Sequence, residues 1–518
     1  MSVDDPQGAG HLIPLDGQSP LDALGEMRTD TLADSVFLLL ALTVFQRFVG
    51  FLREIVFCRW LDAEQLGQWD MAFGFLMLAA PLAVISLPGT FGRYVERYRQ
   101  LGQLPLFLRR TAIFCTAMAI PAMLSLYAAP RWFSQLIYGT AQRGDMVMIL
   151  GGSLCCVIVF NYFISLFTAL RNMRLVSGME MANSFLFAVL AIGLMSAWEC
   201  TARSVLLAYA GACALTSLAG AWRLKQAWHT LSSRPAPGPA GELWSRLIPF
   251  AVWLMAINLL TNMFDLADRT MIVHFSPGSA ADALVEVGNY RSSRVMPLLL
   301  ASIAAMIANA ATPHLSHDWE AGRPKRVAQR LNLLLRVVSV ALTAGGVLVL
   351  WLAPLLFQLG FRGKFAGGLT VLPWTLCYCA WFGLSMVAQK YLWCAEKTGL
   401  AGLALLIGLM VNVALNCTLL PRLGLQGAVL ATAAANLVTL LLIAWMSSRL
   451  GCRFAWSTWT MLLLPGVIPL GPWIASLMLL LIGVLVLGSD RLLTAAEKSE
   501  LFAGAMRYVK WLPGMAGG

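Results

Sequence analysis

The sequence predicts an all-α polytopic membrane protein of 12 to 14 transmembrane helices, and three observations predict it. Of the 518 residues, 59% are hydrophobic and only 12% are charged. Mean hydropathy is +0.72, above the range of soluble globular domains. Apolar stretches of roughly 17 to 25 residues, long enough to cross about 30 Å of hydrocarbon, recur from Thr31 to the region of Leu487.

Residues 1–30 carry Asp4, Asp5, Asp16, Asp22 and Glu26 ahead of the first apolar run. They lack the basic start of a signal peptide and read as a cytoplasmic tail. Hydropathy with Gly, Pro and charge punctuation then places six spans near 32–57, 69–92, 111–129, 146–170, 178–197 and 204–222, forming a bundle over 31–222. A Pro-rich cytoplasmic linker over 223–246 follows, with Ser232-Ser-Arg-Pro-Ala-Pro-Gly-Pro-Ala-Gly241 at its centre. Six more spans, near 247–274, 288–312, 330–354, 368–392, 399–419 and 424–446, make a second bundle over 247–447. Residues 448–518 add two short apolar segments, near 456–470 and 473–489, and a cytoplasmic tail. Pro465, Pro469 and Gly471-Pro472 leave that pair open to a second reading, as one irregular or re-entrant segment.

The formal net charge of +11 is a topological signal. With the amino terminus in the cytoplasm, about 24 of the 37 Lys and Arg residues fall on the cytoplasmic side and about 7 on the outer side. The densest groups are Arg93, Arg97, Arg99, Arg109 and Arg110 after span two, and Arg323, Lys325, Arg326 and Arg330 after span eight. This argues for multi-pass insertion in the cytoplasmic (inner) membrane and against a nucleic-acid partner. Eleven cysteines lie scattered, mostly in apolar segments where Cys acts as a small hydrophobe, and imply no disulfide framework. His314, His317 and Asp318 lack further ligands nearby, so no metal site is expected. There is no Walker A loop, G-x-S-x-G elbow or H-E-x-x-H, and the outer loops are short. A non-enzymatic protein without a cofactor, driven by a gradient or by substrate supply, fits better.

An ionisable side chain at bilayer depth costs roughly 3 kcal/mol or more, so each needs a partner or a watery cavity. Span one carries Arg47, Arg53 and Glu54. Arg47 and Glu54 lie two turns apart on one face, Arg53 projects about 120° from Arg47, and Gly50 leaves room for a close neighbour. Arg47 is the deepest, and its guanidinium suits a phosphate or pyrophosphate held by bidentate hydrogen bonds. Arg53 and Glu54 read either as part of that site or as an interfacial pair snorkelling toward headgroups. In span seven, Asn258, Asn262, Asp265 and Arg269 form one polar stripe that should face the bundle interior. Asp265 and Arg269 either neutralise each other at i, i+4, or Asp265 or Asp268 binds a coupling cation or proton or the hydroxyls of a sugar. Arg291 and Arg294 open span eight and either extend a positive cavity or snorkel. Asn161, Asn183, Asn309, Asn412, Asn416 and Asn436 read first as interhelical hydrogen-bonding amides.

Several passages carry a resemblance. Arg59-Trp-Leu-Asp-Ala-Glu-Gln-Leu-Gly67-Gln-Trp69 resembles the segment after the first span of Wzx-type O-antigen and capsular oligosaccharide flippases, with Asp62 in place of the usual Gly. Asp268-Arg269 with Val287-Gly288-Asn289-Tyr290, the stretch Pro313 to Gly322, and the run from Asn412 through Pro421 to Thr432 are similar to later motifs of that family, with Leu423 in place of the usual Tyr. Phe45 to Glu54 is also similar to the first-span motif of MurJ-type lipid II flippases, whose paired arginines are implicated in holding pyrophosphate. The resemblance, covering Thr31 to about Arg449, implies two six-helix bundles around a central cavity, as in the superfamily shared with MATE exporters, and alternating access.

On that resemblance Arg47 and Arg53 hold a polyprenyl-pyrophosphate-linked glycan, with Arg291 or Arg294 contributing from the second bundle. Asp70 is a weaker match, and Glu54, Asn262, Asp265, Asp268 and Arg269 are candidates for coupling or for lining the cavity. The implied partners are that lipid-linked glycan, membrane lipid, a coupling ion and other polysaccharide-assembly proteins. The rival readings are a MurJ-like lipid II flippase, a MATE-like cation exporter, which would want a carboxylate-rich cavity, and a glycan polymerase or ligase, which would want a large outer loop.

Overall fold

A computed structural model describes residues 32–228, 240–488 and 498. The acidic amino-terminal segment, the centre of the expected linker and all of the carboxy-terminal tail but Lys498 lie outside the described residues. The described chain is helical throughout. In the first half run α1 (Leu32–Trp60), α2 (Ala63–Ala83), α3 (Phe91–Gln100), α4 (Leu104–Ala128), α5 (Pro130–Tyr138), α6 (Gly144–Ala169), α7 (Met173–Ala197) and α8 (Ala202–Trp228). The second half holds α9 (Ala240–Phe275), α10 (Ala280–Glu320), α11 (Pro324–Leu355), α12 (Ala366–Ala388), α13 (Lys390–Cys394), α14 (Thr398–Leu423) and α15 (Leu425–Arg449). Two short elements, α16 (Trp456–Leu462) and α17 (Pro472–Gly488), follow them.

Among the described residues ten helices are each long and apolar enough to cross a bilayer, and α2 with α3 makes an eleventh. The 29-residue α1 precedes them, so the helix count lies near the expected range. Helix ends differ from the sequence expectation in three places. Span two breaks after Ala83 into α3, bent by 63°, with Ile85 and Ser86 both in the left-handed region at φ 52° and 50°. Ser86 N–H turns back to the Pro81 carbonyl at 2.6 Å, and Pro88 has no N–H with which to resume the α2 ladder. Span eight continues as helix through Pro313 to Glu320, where a loop was expected. The expected linker is taken up by helix at both ends, to Trp228 and from Ala240.

The face where α1 ends at Trp60 is the far end. There α2 of the first half crosses α10 of the second. A Cβ on Gly67 would sit 2.0 Å from the Leu284 carbonyl oxygen, and one on Gly288 would sit 1.9 Å from that of Ala63, so only glycine allows this backbone approach. Lys364 Nζ donates to the carbonyls of Arg59, Trp60 and Leu61 at 3.0–3.3 Å, placing a cation on the negative end of α1. The crossing and this cap tie the two halves together at the far end.

The two short elements are docked rather than free. For α16, Asn332 Oδ1 on α11 accepts from Thr458 Oγ1 at 2.6 Å and Trp381 Nε1 on α12 donates to the Leu462 carbonyl at 3.0 Å, and for α17, Trp351 Nε1 on α11 donates to Ser476 Oγ at 3.2 Å. Among those ten helices α12 is the most buried, with 78% of its most apolar stretch inside the protein, and α9 the least, with 11%. The polar stripe on α9 therefore needs a wet neighbour, because facing lipid would destabilise it by several kcal/mol.

Candidate functional site

A cavity of about 390 Å³ lies between α1, α2, α7 and α10 and supplies the candidate site. Each helix contributes at helical spacing: Arg47, Gly50 and Glu54 from α1, Glu180, Asn183, Ser184 and Phe187 from α7, and Arg291, Val295, Leu298 and Ser302 from α10. Trp69 and Phe73 of α2 and Tyr209 of α8 complete an aromatic wall. Arg53 also lines it, its guanidinium carbon 4.2 Å from the centre of the Phe187 ring. Arg47 and Arg53 thus reach one cavity although they project from different sides of α1.

From this wall a chain of ion pairs runs inward and joins the two halves. Arg53 Nη2 lies 3.5 Å from Glu54 Oε1. Arg291 donates to both oxygens of Glu54 at 2.8 and 3.2 Å and to Asp70 Oδ1 at 2.7 Å. Asp70, fully buried, also faces Arg269 Nε at 3.3 Å. Arg269 reaches Asp265 at 2.6 Å, and Arg294 meets the other Asp265 oxygen at 2.5 Å. Four guanidiniums share three carboxylates, so the chain keeps one positive charge in excess before Arg47 is counted.

These contacts decide between the readings left open by the sequence. Arg53 and Glu54 belong to the interior and do not snorkel. Asp265 and Arg269 do pair, and both are shared with further partners. Arg291 stands on the cavity wall with its guanidinium committed to Glu54 and Asp70. Arg294 departs from the expectation: it is absent from the cavity wall, turned instead to Asp265 and across the Tyr290 ring at 5.3 Å. Asn262 donates to the Asn258 carbonyl at 2.8 Å on its own helix, and Asn258 reaches Ser86 Oγ at the α2 break at 3.2 Å.

Asp268 and Arg269 are sequence neighbours about 100° apart on α9 and so serve opposite halves. Asp268 is buried in the second half. It accepts from Tyr290 Oη at 3.0 Å, Asn412 Nδ2 at 2.8 Å, Asn416 Nδ2 at 3.1 Å and Thr432 Oγ1 at 2.6 Å. Asn412 and Asn416 therefore make the interhelical bonds expected of membrane amides, and Asn416 Oδ1 is left without a partner.

Sequence reasoning passed over Glu180 and set Asn183 aside as a packing amide. Glu180 is a charge inside a span, set against the charge of Arg47. Asn183 Oδ1, Trp69 Nε1 and Arg53 Nε are buried without hydrogen-bond partners. Orphaned groups of this kind cost about 1–3 kcal/mol each unless a ligand or water satisfies them. The arrangement can bind an anion flanked by a polar or ring-bearing group, in a space at the lower end of ordinary ligand pockets.

The chain is similar to an uncharacterized membrane protein of Bacillus subtilis (strain 168), YabM, at 24% identity over 391 residues, covering 71% of this chain and 70% of that protein. In fold it matches the lipid II flippase MurJ in an inward closed conformation with a TM-score of 0.66 at 12% identity, over 87% of this chain and 98% of MurJ. It also matches the MATE multidrug transporter DinF-BH with a TM-score of 0.58 at 14% identity, over 80% and 95% of the two chains. The fold is thus that of the MurJ and MATE transporters. Residues 32–319, more than half of the chain, match the family described as polysaccharide biosynthesis protein, and to that family the chain belongs.

Proposed function

We propose that the protein is a flippase that moves a polyprenyl-pyrophosphate-linked oligosaccharide from the inner to the outer leaflet of the cytoplasmic membrane by alternating access. The observation that carries this reading is the central cavity with Arg47 and Arg53 on its wall and excess positive charge behind it. A guanidinium pair at bilayer depth matches pyrophosphate in charge and in hydrogen-bond geometry. A MATE-like exporter of organic cations would be repelled by the same field. At about 390 Å³ the cavity is too small for a whole oligosaccharide, so the glycan enters only as the near end opens. The amino terminus is placed in the cytoplasm on the Lys and Arg asymmetry of the loops.

Deleting the gene should leave the lipid-linked glycan on the inner leaflet, read by the accessibility of its sugars to a glycan-specific lectin in intact versus lysed spheroplasts. Sugars reaching the outer leaflet at the wild-type rate would overturn the flippase reading.

Coupling is assigned to Asp268. Its buried carboxylate accepts from Thr432 Oγ1 and from the Asn412 and Asn416 amides, on α14 and α15, and a turn of either amide would present its oxygen beside the carboxylate to a monovalent cation. In proteoliposomes Asp268→Asn should make uptake of the lipid-linked glycan indifferent to an imposed sodium or proton gradient. Retained gradient dependence would remove Asp268 from the mechanism.

A further inference from the structure

A second cavity, of about 620 Å³, lies at the far end, away from the arginines of the central site. Its walls are Gln65 and Gln68 at the start of α2, Thr140 and Gln142 between α5 and α6, Glu199 and Thr201 before α8, and Ser279 to Ala281 at the start of α10. Both halves build it, and Gln65 and Gln68 flank Gly67, the residue at the α2–α10 crossing.

The lining fixes the chemistry of a guest. Arg143 pairs with Glu64 and Arg203 with Asp145, so both cations are already neutralised. Glu199 makes no ion pair among the described residues, and with Asp145 it balances the two arginines of the wall, so a phosphate meets no net positive charge there. A single uncommitted carboxylate is too little for a divalent cation, which takes six or more oxygens. What remains is amide and hydroxyl groups, with Thr201 Oγ1 and Arg143 Nε buried and lacking hydrogen-bond partners. An uncharged molecule dense in hydroxyls satisfies this set, because each hydroxyl both donates and accepts.

We propose that this cavity is a saccharide site that binds the neutral sugars of the exported glycan from outside while the far end is closed. Because its walls come from both halves, a bound sugar stabilises the closed α2–α10 crossing, and accumulated product slows further transport. The inference rests on the flippase reading for the identity of the sugar, and on the cavity's own chemistry for the site.

The test uses the repeat-unit oligosaccharide freed by mild acid from the strain's own lipid-linked glycan, titrated by saturation-transfer NMR onto the purified full-length protein in nanodiscs. Wild type and Arg47→Ala should bind it equally. Thr201→Val, which keeps the side-chain shape, and Gln142→Ala should each weaken binding at least tenfold with unchanged melting temperatures. Binding lost in Arg47→Ala and kept in Thr201→Val would place the sugar in the central cavity and overturn the proposal. No binding by wild type, in a strain whose deletion does trap glycan inside, would overturn the second site and leave the flippase standing. Sugars reaching the outer leaflet normally in the deletion strain would bring down the flippase reading instead.

Discussion

Replacing Arg47 by alanine is expected to lower export of the lipid-linked glycan about a hundredfold while leaving the amount of inserted protein unchanged. Two charge-assisted hydrogen bonds from one guanidinium to pyrophosphate, at about 1.5 kcal/mol each, together supply about 3 kcal/mol, which is that factor. Arg47 suits the test because Glu180 is the neighbour set against its charge and the ion-pair chain does not include it. It lines the cavity and stands outside the ion-pair chain from Arg53 to Arg294, so its loss leaves no buried counter-charge stranded except the half-buried Glu180. Arg47→Lys should recover only part of the activity, since an ammonium keeps the charge and loses the planar fork. The measurement is the rate of outer-leaflet glycan appearance against immunoblotted protein in the membrane. Export at the wild-type rate by Arg47→Ala would remove the arginine from the substrate site.

How much of this was legible in the sequence follows from what each feature depends on. A run of twenty apolar residues needs no partner to declare itself, so the helical membrane fold and most of its spans could be read directly. Intramembrane charge is legible for the same reason: Arg47, Arg53, Glu54, Asp265 and Arg269 each violate the solvent they sit in. Partner choice is not legible. Arg291 and Arg294 lie three residues apart on α10, yet one turns to Glu54 and Asp70 and the other to Asp265, a difference set by which helices stand alongside. The aromatic wall stayed hidden because Trp69, Phe73, Phe187 and Tyr209 look like any lipid-facing aromatics until α2, α7 and α8 meet, at ring separations of 5.1–6.0 Å. Glu180 was recoverable, since Glu180, Asn183, Ser184 and Phe187 follow one helical face within an apolar span. The left-handed Ile85 and Ser86 were not, because only the surrounding fold stabilises that backbone.

Asp70→Asn is expected to cost about 3–5 kcal/mol of stability, the penalty for removing one member of a buried ion pair and leaving the others charged. Asp70 is the hinge of the network: fully buried, it holds Arg291 through one oxygen and Arg269 through the other. Asparagine keeps the shape and one acceptor, so the loss is electrostatic and leaves little cavity. The effect should appear as a lower midpoint of thermal unfolding in detergent. If the carboxylate's role is to balance the two guanidiniums, removing one of them as well must restore part of the loss. Asp70→Asn combined with Arg291→Gln should therefore be less destabilised than the two single variants add up to, with a coupling of about 1–3 kcal/mol. Strict additivity would mean that Asp70 acts through packing alone. Because the same pairs bind α1 and α2 to α9 and α10, parting the halves at the far end must break them. Asp70→Asn, at a temperature where it remains folded, should therefore shift the population toward the far-end-open state. Spin labels on exposed Gln142 of the first half and Ala281 of the second, which face each other across the far-end cavity wall they share, would report this as a longer mean separation. An unchanged separation would confine the network's role to stability.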